Sequence, residues 1–169
     1  MLLLLYGGKG WIGKQFVEIL KSQNIDYHMS NLRVDKTEEI SREIEELNPT
    51  HLISFIGRTH GEEFSTIDYL EKKGKIYENV RDNLFSPLTL AMIAKEKNIH
   101  FTYTGTGCIF SYPEGHSRSE ENGFTEESIP NFFGSSYSTV KGFTDRLMSH
   151  FKENTLNLRI RMPITDSYN

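Results

Sequence analysis

The sequence predicts an α/β fold, a doubly wound parallel sheet with helices on both faces. Three observations carry this. Short apolar runs alternate with longer segments of helical periodicity along the chain. The first run ends in the glycine-rich loop Gly7-Gly8-Lys9-Gly10-Trp11-Ile12-Gly13, which opens the first helical segment. A long stretch without periodicity, Gly107–Gly134, separates the fourth apolar run from the last helical segment; loops of that length are usually functional.

The elements follow in order. Leu2–Tyr6 is a continuous apolar run, a buried strand. Ile12–Ser22 places Ile12, Phe16, Ile19 and Leu20 at helical spacing. Ile25–Met29 is a short strand. Thr37–Leu47 is an amphipathic helix with Ile40, Ile44 and Leu47 inward, stopped before Pro49. His51–Ile56 is the third strand, followed by the loop Gly57–Ser65 and helical segments over Tyr69–Asn79 and Asn83–Lys97. In the second of these, Leu84, Leu88, Met92 and Ile93 predict buried faces. His100–Thr104 is the fourth strand, Ser135–Lys152 a helix and Leu156–Met162 the last strand.

The 169 residues suit one domain. Hydrophobic residues are 37% and charged residues 25%, as in ordinary globular proteins, and a net charge of -4 gives no general attraction to nucleic acid or anionic membrane. The single cysteine, Cys108, excludes an intramolecular disulfide and fits a reducing compartment, so the expected location is the cytoplasm. The apolar run at Met1–Leu5 is too short for a signal segment or a membrane span.

The glycine loop reads as G-x-x-G-x-x-G from Gly7 and as G-x-G-x-x-G from Gly8. Set between strand and helix, it predicts a Rossmann-type dinucleotide site: the backbone approaches a pyrophosphate, helix N-terminal amides bind it, and Gly13 lets helix and sheet pack closely. Gly7, Gly10, Trp11, Ile12 and Gly13 are the candidate contacts. The end of the second strand, His28-Met29-Ser30-Asn31-Leu32-Arg33, has no acid until Asp35. An acid there would hold a ribose 2′-hydroxyl. Arg33, with help from Ser30 or Asn31, would instead hold a 2′-phosphate and select NADP; the competing reading is a solvated surface arginine.

Tyr137-Ser138-Thr139-Val140-Lys141 is a Y-x-x-x-K whose ends share a helix face. An ammonium beside a phenol favours the phenolate, so Lys141 is expected to lower the Tyr137 pKa and make it a usable acid. Tyr69 and Lys73 have the same spacing but precede the fourth strand, and are read as helix surface. Thr106, beyond that strand, can hydrogen-bond a substrate carbonyl. Cys108, two residues on, is either a small buried apolar group or a proton-transfer thiol.

Together these residues resemble the extended short-chain dehydrogenase/reductases, over essentially the whole chain. Within them the chain is most similar to the bifunctional nucleotide-rhamnose synthases, 3,5-epimerase/4-reductases. The segments Tyr6–Gly13, Thr106–Phe110, Pro130–Ser138 and Arg159–Ile164 carry the resemblance. It implies NADPH as cofactor and UDP-4-keto-6-deoxyglucose as substrate. Thr106 and Tyr137 would hold the C4 ketone, Tyr137 would protonate its oxygen on reduction, and Lys141 would bind the nicotinamide ribose. Cys108 would exchange protons at C3 and C5, as the cysteine of the more distant GDP-fucose synthases does, together with a second acid/base group. Gly57 and Pro163 join the cofactor contacts, although Phe55-Ile56-Gly57-Arg58-Thr59 departs from the family's small residues, and Arg58 has no assigned role. No metal is implied. Family members dimerise through the helices that match Tyr69–Asn79, Asn83–Lys97 and Ser135–Lys152, so a homodimer is expected. They also carry a C-terminal substrate-binding part, so residues 1–169 read as the NADP-binding domain of a longer protein. The alternatives are a single-function nucleotide-4-keto-sugar reductase and a non-catalytic NADP-binding regulatory subunit.

Overall fold

The computed structural model describes residues 1–61, 64–114 and 123–164. Five parallel strands lie in the order β2-β1-β3-β4-β5: β1 Leu3–Tyr6, β2 Tyr27–Met29, β3 His51–Ser54, β4 His100–Thr106 and β5 Thr155–Ile160. Every residue of β1 is buried, which is why it reads as an unbroken apolar run. Its side chains alternate between two cores. Leu3 and Leu5 join Val17 and Leu20 of α1 (Trp11–Ser22). Leu4 and Tyr6 join Ile40 and Ile44 of α2 (Thr37–Leu47), Leu90 and Ile93 of α4 (Ser86–Glu96), and Met148 of α5 (Ser136–Met148). Helices therefore cover both faces, as predicted. After β2 the chain returns past β1 to form β3, so the connections leaving β1 and β3 diverge; that divergence opens the crevice where such sheets bind ligands.

The sequence misplaces some boundaries. The helix expected over Tyr69–Asn79 is a 3₁₀ turn, Ile67–Glu71, followed by α3, Ile76–Val80. A π turn, Arg81–Phe85, joins α3 to α4. The last helix stops at Met148 and ends in a 3₁₀ turn, Ser149–Phe151. β4 runs on to Thr106, and β5 covers Thr155–Ile160 rather than Leu156–Met162. Ile93 is buried as expected, but Met92 is exposed. Of the Gly107–Gly134 loop, residues 115–122 lie outside those described.

Candidate active site

The glycine loop has the geometry its sequence requires. Gly7 has φ +77°, and a Cβ there would stand 2.9 Å from the backbone of Phe55 and Ile56. A Cβ on Gly13 would lie 2.6 Å from Gly7 O and Gly8 Cα. Gly10 caps α1 without a side-chain acceptor, and the first turn carries no acid. The positive end of the α1 dipole thus meets no acidic side chain of its own first turn and favours an anion. A cradle that any side chain would fill, aimed by an uncapped helix, fits the pyrophosphate of a dinucleotide.

Two cavities meet at this loop. The smaller, about 250 Å³, is lined by Gly7, Gly8, Lys9, Ser30, Asn31, Arg33, Ile56 and Asp82. Arg33 lies here, half exposed and paired with Asp35 at 3.5 Å and Asp82 at 3.3 Å. Ser30 is turned away to Glu43 (2.8 Å) and is not a helper of Arg33. Asn31 accepts from Lys9 (2.7 Å), a rim cation that the sequence reading missed although it sits inside the motif. Burial pushes the Asp82 carboxyl up, but hydrogen bonds and charge from Arg81 and Arg58 outweigh it and hold the group below the usual carboxylate range. Arg58 thereby acquires a structural role.

The larger cleft, about 420 Å³, brings together Gly10, Trp11, Ile12, Gly13, Gly57, Thr106, Cys108, Tyr137, Lys141 and Pro163. All four predicted catalytic residues and most of the predicted cofactor contacts therefore share one space. Thr106 Oγ1 accepts from the Cys108 amide (3.1 Å), and the Thr106 side chain stands near enough to the Tyr137 hydroxyl to favour its ionised form. Ser138 Oγ donates to Cys108 O (2.8 Å), tying the thiol-bearing loop to α5.

The electrostatics differ from the sequence expectation. Burial pushes the Tyr137 phenol up to about 12, against a smaller lowering by the nearby Thr106 side chain. Lys141 does not lower it. Its ammonium donates to the Tyr103 hydroxyl on β4, deep in the protein, and burial brings Lys141 down to about 7. Tyr103, fully enclosed, is raised well above the usual phenol range by the same desolvation. Stability should follow from this. The folded pKa of Lys141 lies below its unfolded value of 10.5, so the unfolded chain binds more protons between about pH 7 and pH 10. Stability from this group is lowest below pH 7 and rises with pH above it. Denaturant titrations at pH 7 and pH 9 should show the wild type more stable at pH 9, and Lys141→Met should remove that gain; an equal rise in the variant would assign it to other groups.

Tyr69 corrects the sequence reading outright. It is not helix surface but is 3% exposed. It packs with Leu70, Tyr137 and Cys108, donates to Glu78 (2.9 Å), and lies so close to Gly61 that a Cβ there would meet its ring at 2.6 Å. Its neighbour Lys73 is exposed, but on the turn before α3 rather than on a helix.

No family model matches the sequence. Known proteins do. The chain is 55% identical over 166 residues to protein L780 of Acanthamoeba polyphaga mimivirus, covering 98% of this chain and 57% of L780. It is 37% identical over 162 residues to a bifunctional dTDP-4-dehydrorhamnose 3,5-epimerase/reductase of Arabidopsis thaliana, covering 96% and 52%. The crystal structure of L780, described as a UDP-rhamnose synthase, superimposes with a TM-score of 0.94 over all of this chain and 58% of that one. A dTDP-4-dehydrorhamnose reductase of Clostridium acetobutylicum, 18% identical, shares the fold with a TM-score of 0.80 over all of this chain and 56% of that one. The chain spans rather more than half the length of these relatives. Among the described residues no helix is long and apolar enough to cross a membrane. The matched sequence and the shared cleft agree: the chain belongs to the extended short-chain dehydrogenase/reductases, in the nucleotide-rhamnose synthase group.

Proposed function

We propose that this chain forms the NADP site and catalytic centre of a 3,5-epimerase/4-reductase that converts UDP-4-keto-6-deoxyglucose to UDP-L-rhamnose. One observation carries the reading: a thiol, a buried phenol and a threonine hydroxyl stand together beside the dinucleotide cradle. The start of α1, with Gly10, Trp11, Ile12 and Gly13, would hold the pyrophosphate, while the Gly10 amide itself shapes the loop by donating to Gly7 O (3.0 Å); Arg33 with Lys9 would hold the ribose 2′-phosphate, and Tyr137 with Lys141 the nicotinamide ribose, with Gly57 and Pro163 along the cleft wall. When bound, the cofactor supplies the hydride for C4. Thr106 and Tyr137 bind the ketone oxygen and stabilise the negative charge that develops there in both epimerisation and reduction. Cys108 exchanges a proton on one face of the carbons beside the ketone, and the second acid/base group completes the inversion from the opposite face. A phenol raised to about 12 is stocked with its proton at neutral pH, ready for the oxygen that reduction leaves basic. The relatives' greater length leaves room for further contacts to the sugar nucleotide and for the second acid/base group.

The test supplies UDP-4-keto-6-deoxyglucose and NADPH to this chain beside L780 as a positive control, with the sugar product identified. Formation of UDP-L-rhamnose supports the reading, and a reduced but unepimerised sugar leaves a plain reductase. No NADPH loss, with cofactor bound, points to a non-catalytic subunit. Cys108→Ser is expected to slow deuterium uptake at C3 and C5 by about 10²-fold or more while sparing reduction of a ketone already epimerised. Equal loss of both activities would make Cys108 structural.

A homodimer fits the surface. Ile76 and Val80 of α3, Met92 of α4, and Phe143 and Leu147 of α5 are exposed apolar residues, with Leu84 and Leu88 half-buried between the first three in sequence. Sedimentation should find a dimer that Met92→Glu with Phe143→Glu converts to monomer; an unchanged dimer would place the interface elsewhere.

A further inference from the structure

We propose that Glu71 is the positioning residue for Tyr137: its carboxylate clamps the first turn of α5 and so sets where the phenol stands against Thr106 and Cys108. The proposal rests on Tyr137 being the proton donor of the reductase described above.

A helix begins with amides that have no partner inside it. At α5 the local cap satisfies one of them, as Ser135 Oγ accepts from Ser138 N at 3.0 Å. The two amides before it are met from far away in sequence. Glu71 Oε2 accepts from Ser136 N at 2.9 Å, and Oε1 accepts from Tyr137 N at 3.2 Å. One carboxylate thus spans two successive amides, one of them Tyr137's own. Negative charge at a helix N-terminus is favourable, and hydrogen bonds to a carboxylate are stronger than neutral ones.

The position of Glu71 is itself fixed. It ends the 3₁₀ turn Ile67–Glu71, which Thr66 starts by accepting from Asp68 N (3.4 Å). The same turn buries Tyr69 and Leu70 in the cluster that contains Tyr137, and its first residue, Ile67, lines the cleft. A single five-residue turn therefore meets Tyr137 twice, with apolar side chains in its cluster and with a carboxylate on its backbone. A general acid loses effect when displaced by about an ångström. This turn is the element that prevents such a displacement.

The experiment compares Glu71→Ala and Glu71→Gln with the wild-type chain. In Glu71→Ala the Ser136 and Tyr137 amides should exchange with solvent about tenfold faster or more, the loss expected for charge-assisted bonds. The Ser138 amide, held by Ser135, should not change, and neither should the β4 amides, which verify the fold. kcat should fall about tenfold with the KM for NADPH unchanged, since the bond orients the acid and not the cofactor. Glu71→Gln keeps one acceptor oxygen and should recover part of both effects; if the alanine variant does not fold, this isosteric variant carries the comparison. Unchanged exchange at both amides overturns the clamp. Faster exchange with a wild-type kcat overturns its bearing on Tyr137. If the wild-type chain does not reduce the ketone, the functional reading falls instead, and exchange together with the ionisation of ¹³C-labelled Tyr137 decides the clamp.

Discussion

Replacing Tyr137 by phenylalanine is expected to lower ketone reduction by about 10²–10⁴-fold, the usual contribution of a positioned general acid. The ring of Tyr137 is buried with Tyr69, Leu70 and Cys108, and phenylalanine preserves that packing. Only the hydroxyl goes, and with it the proton destined for the substrate oxygen. Cofactor affinity should fall much less than the rate, because only one ribose contact is lost and the glycine loop is untouched. The measurement is single-turnover NADPH oxidation beside cofactor titration by fluorescence. A small loss of rate would mean that another group delivers the proton. An equal loss of rate and of cofactor affinity would make Tyr137 a binding residue.

Gly13→Ala is expected to have a comparably large effect, on the cofactor rather than on the chemistry. The added Cβ would lie 2.6 Å from Gly7 O, 2.6 Å from Gly8 Cα and 2.8 Å from Gly8 C. All three are backbone atoms of the loop, with no flexible side-chain end to yield. Either α1 lifts from the sheet or the loop shifts away. Overpacking of this kind costs about 1–3 kcal/mol, and each kcal/mol lowers Tm by roughly 2–4 °C in a chain of this size. Because the displaced loop is the pyrophosphate cradle, cofactor affinity should fall tenfold or more, a loss of about 1.4 kcal/mol. Gly74→Ala is the control. Gly74 has φ +85° and nothing within 4 Å of an added Cβ, so that variant should lose stability through backbone strain while cofactor binding stays intact. Unaltered affinity in Gly13→Ala would move the dinucleotide away from the start of α1.

The contrast between these residues and those missed explains what a sequence discloses. Gly13 and Gly7 were legible because a constraint on backbone shape leaves few residue types to choose from. Thr106, Cys108, Tyr137 and Lys141 were legible as types at set distances from a strand end. Tyr69 was not, since Y-x-x-x-K spacing says nothing of whether a short 3₁₀ turn folds inward. Glu71 was hidden for a related reason: its partners are 65 and 66 residues away, and an acid inside an expected helical segment reads as a solvated charge. Tyr103 looked like one more aromatic residue in a strand, and only packing shows that Lys141 donates to it. Asn79 and Asn83 did leave a signal. They sit four apart in a segment otherwise reading as amphipathic, and the structure buries both, bonded to each other at 2.9 Å.

The π turn at Arg81–Phe85 bears on how the chain tolerates changes of length. Across it Asn83 O accepts from Thr144 of α5 (2.7 Å), and Arg81 O accepts both the backbone amide and the hydroxyl (2.9 Å) of Ser86. Asn83 reaches across to both the amide and the carbonyl of Arg58, just beyond β3. Removing one residue here would tighten the turn into ordinary α-helix and leave the helix beyond it nearly in phase, since a π turn holds one residue more than the α turn it replaces. The cost of such a deletion would be local: Asn83 would shift off the Arg58 backbone, and Thr144 would lose its acceptor. A one-residue loss is therefore absorbed by the winding of the helix and felt only where the surplus residue bonds to its neighbours.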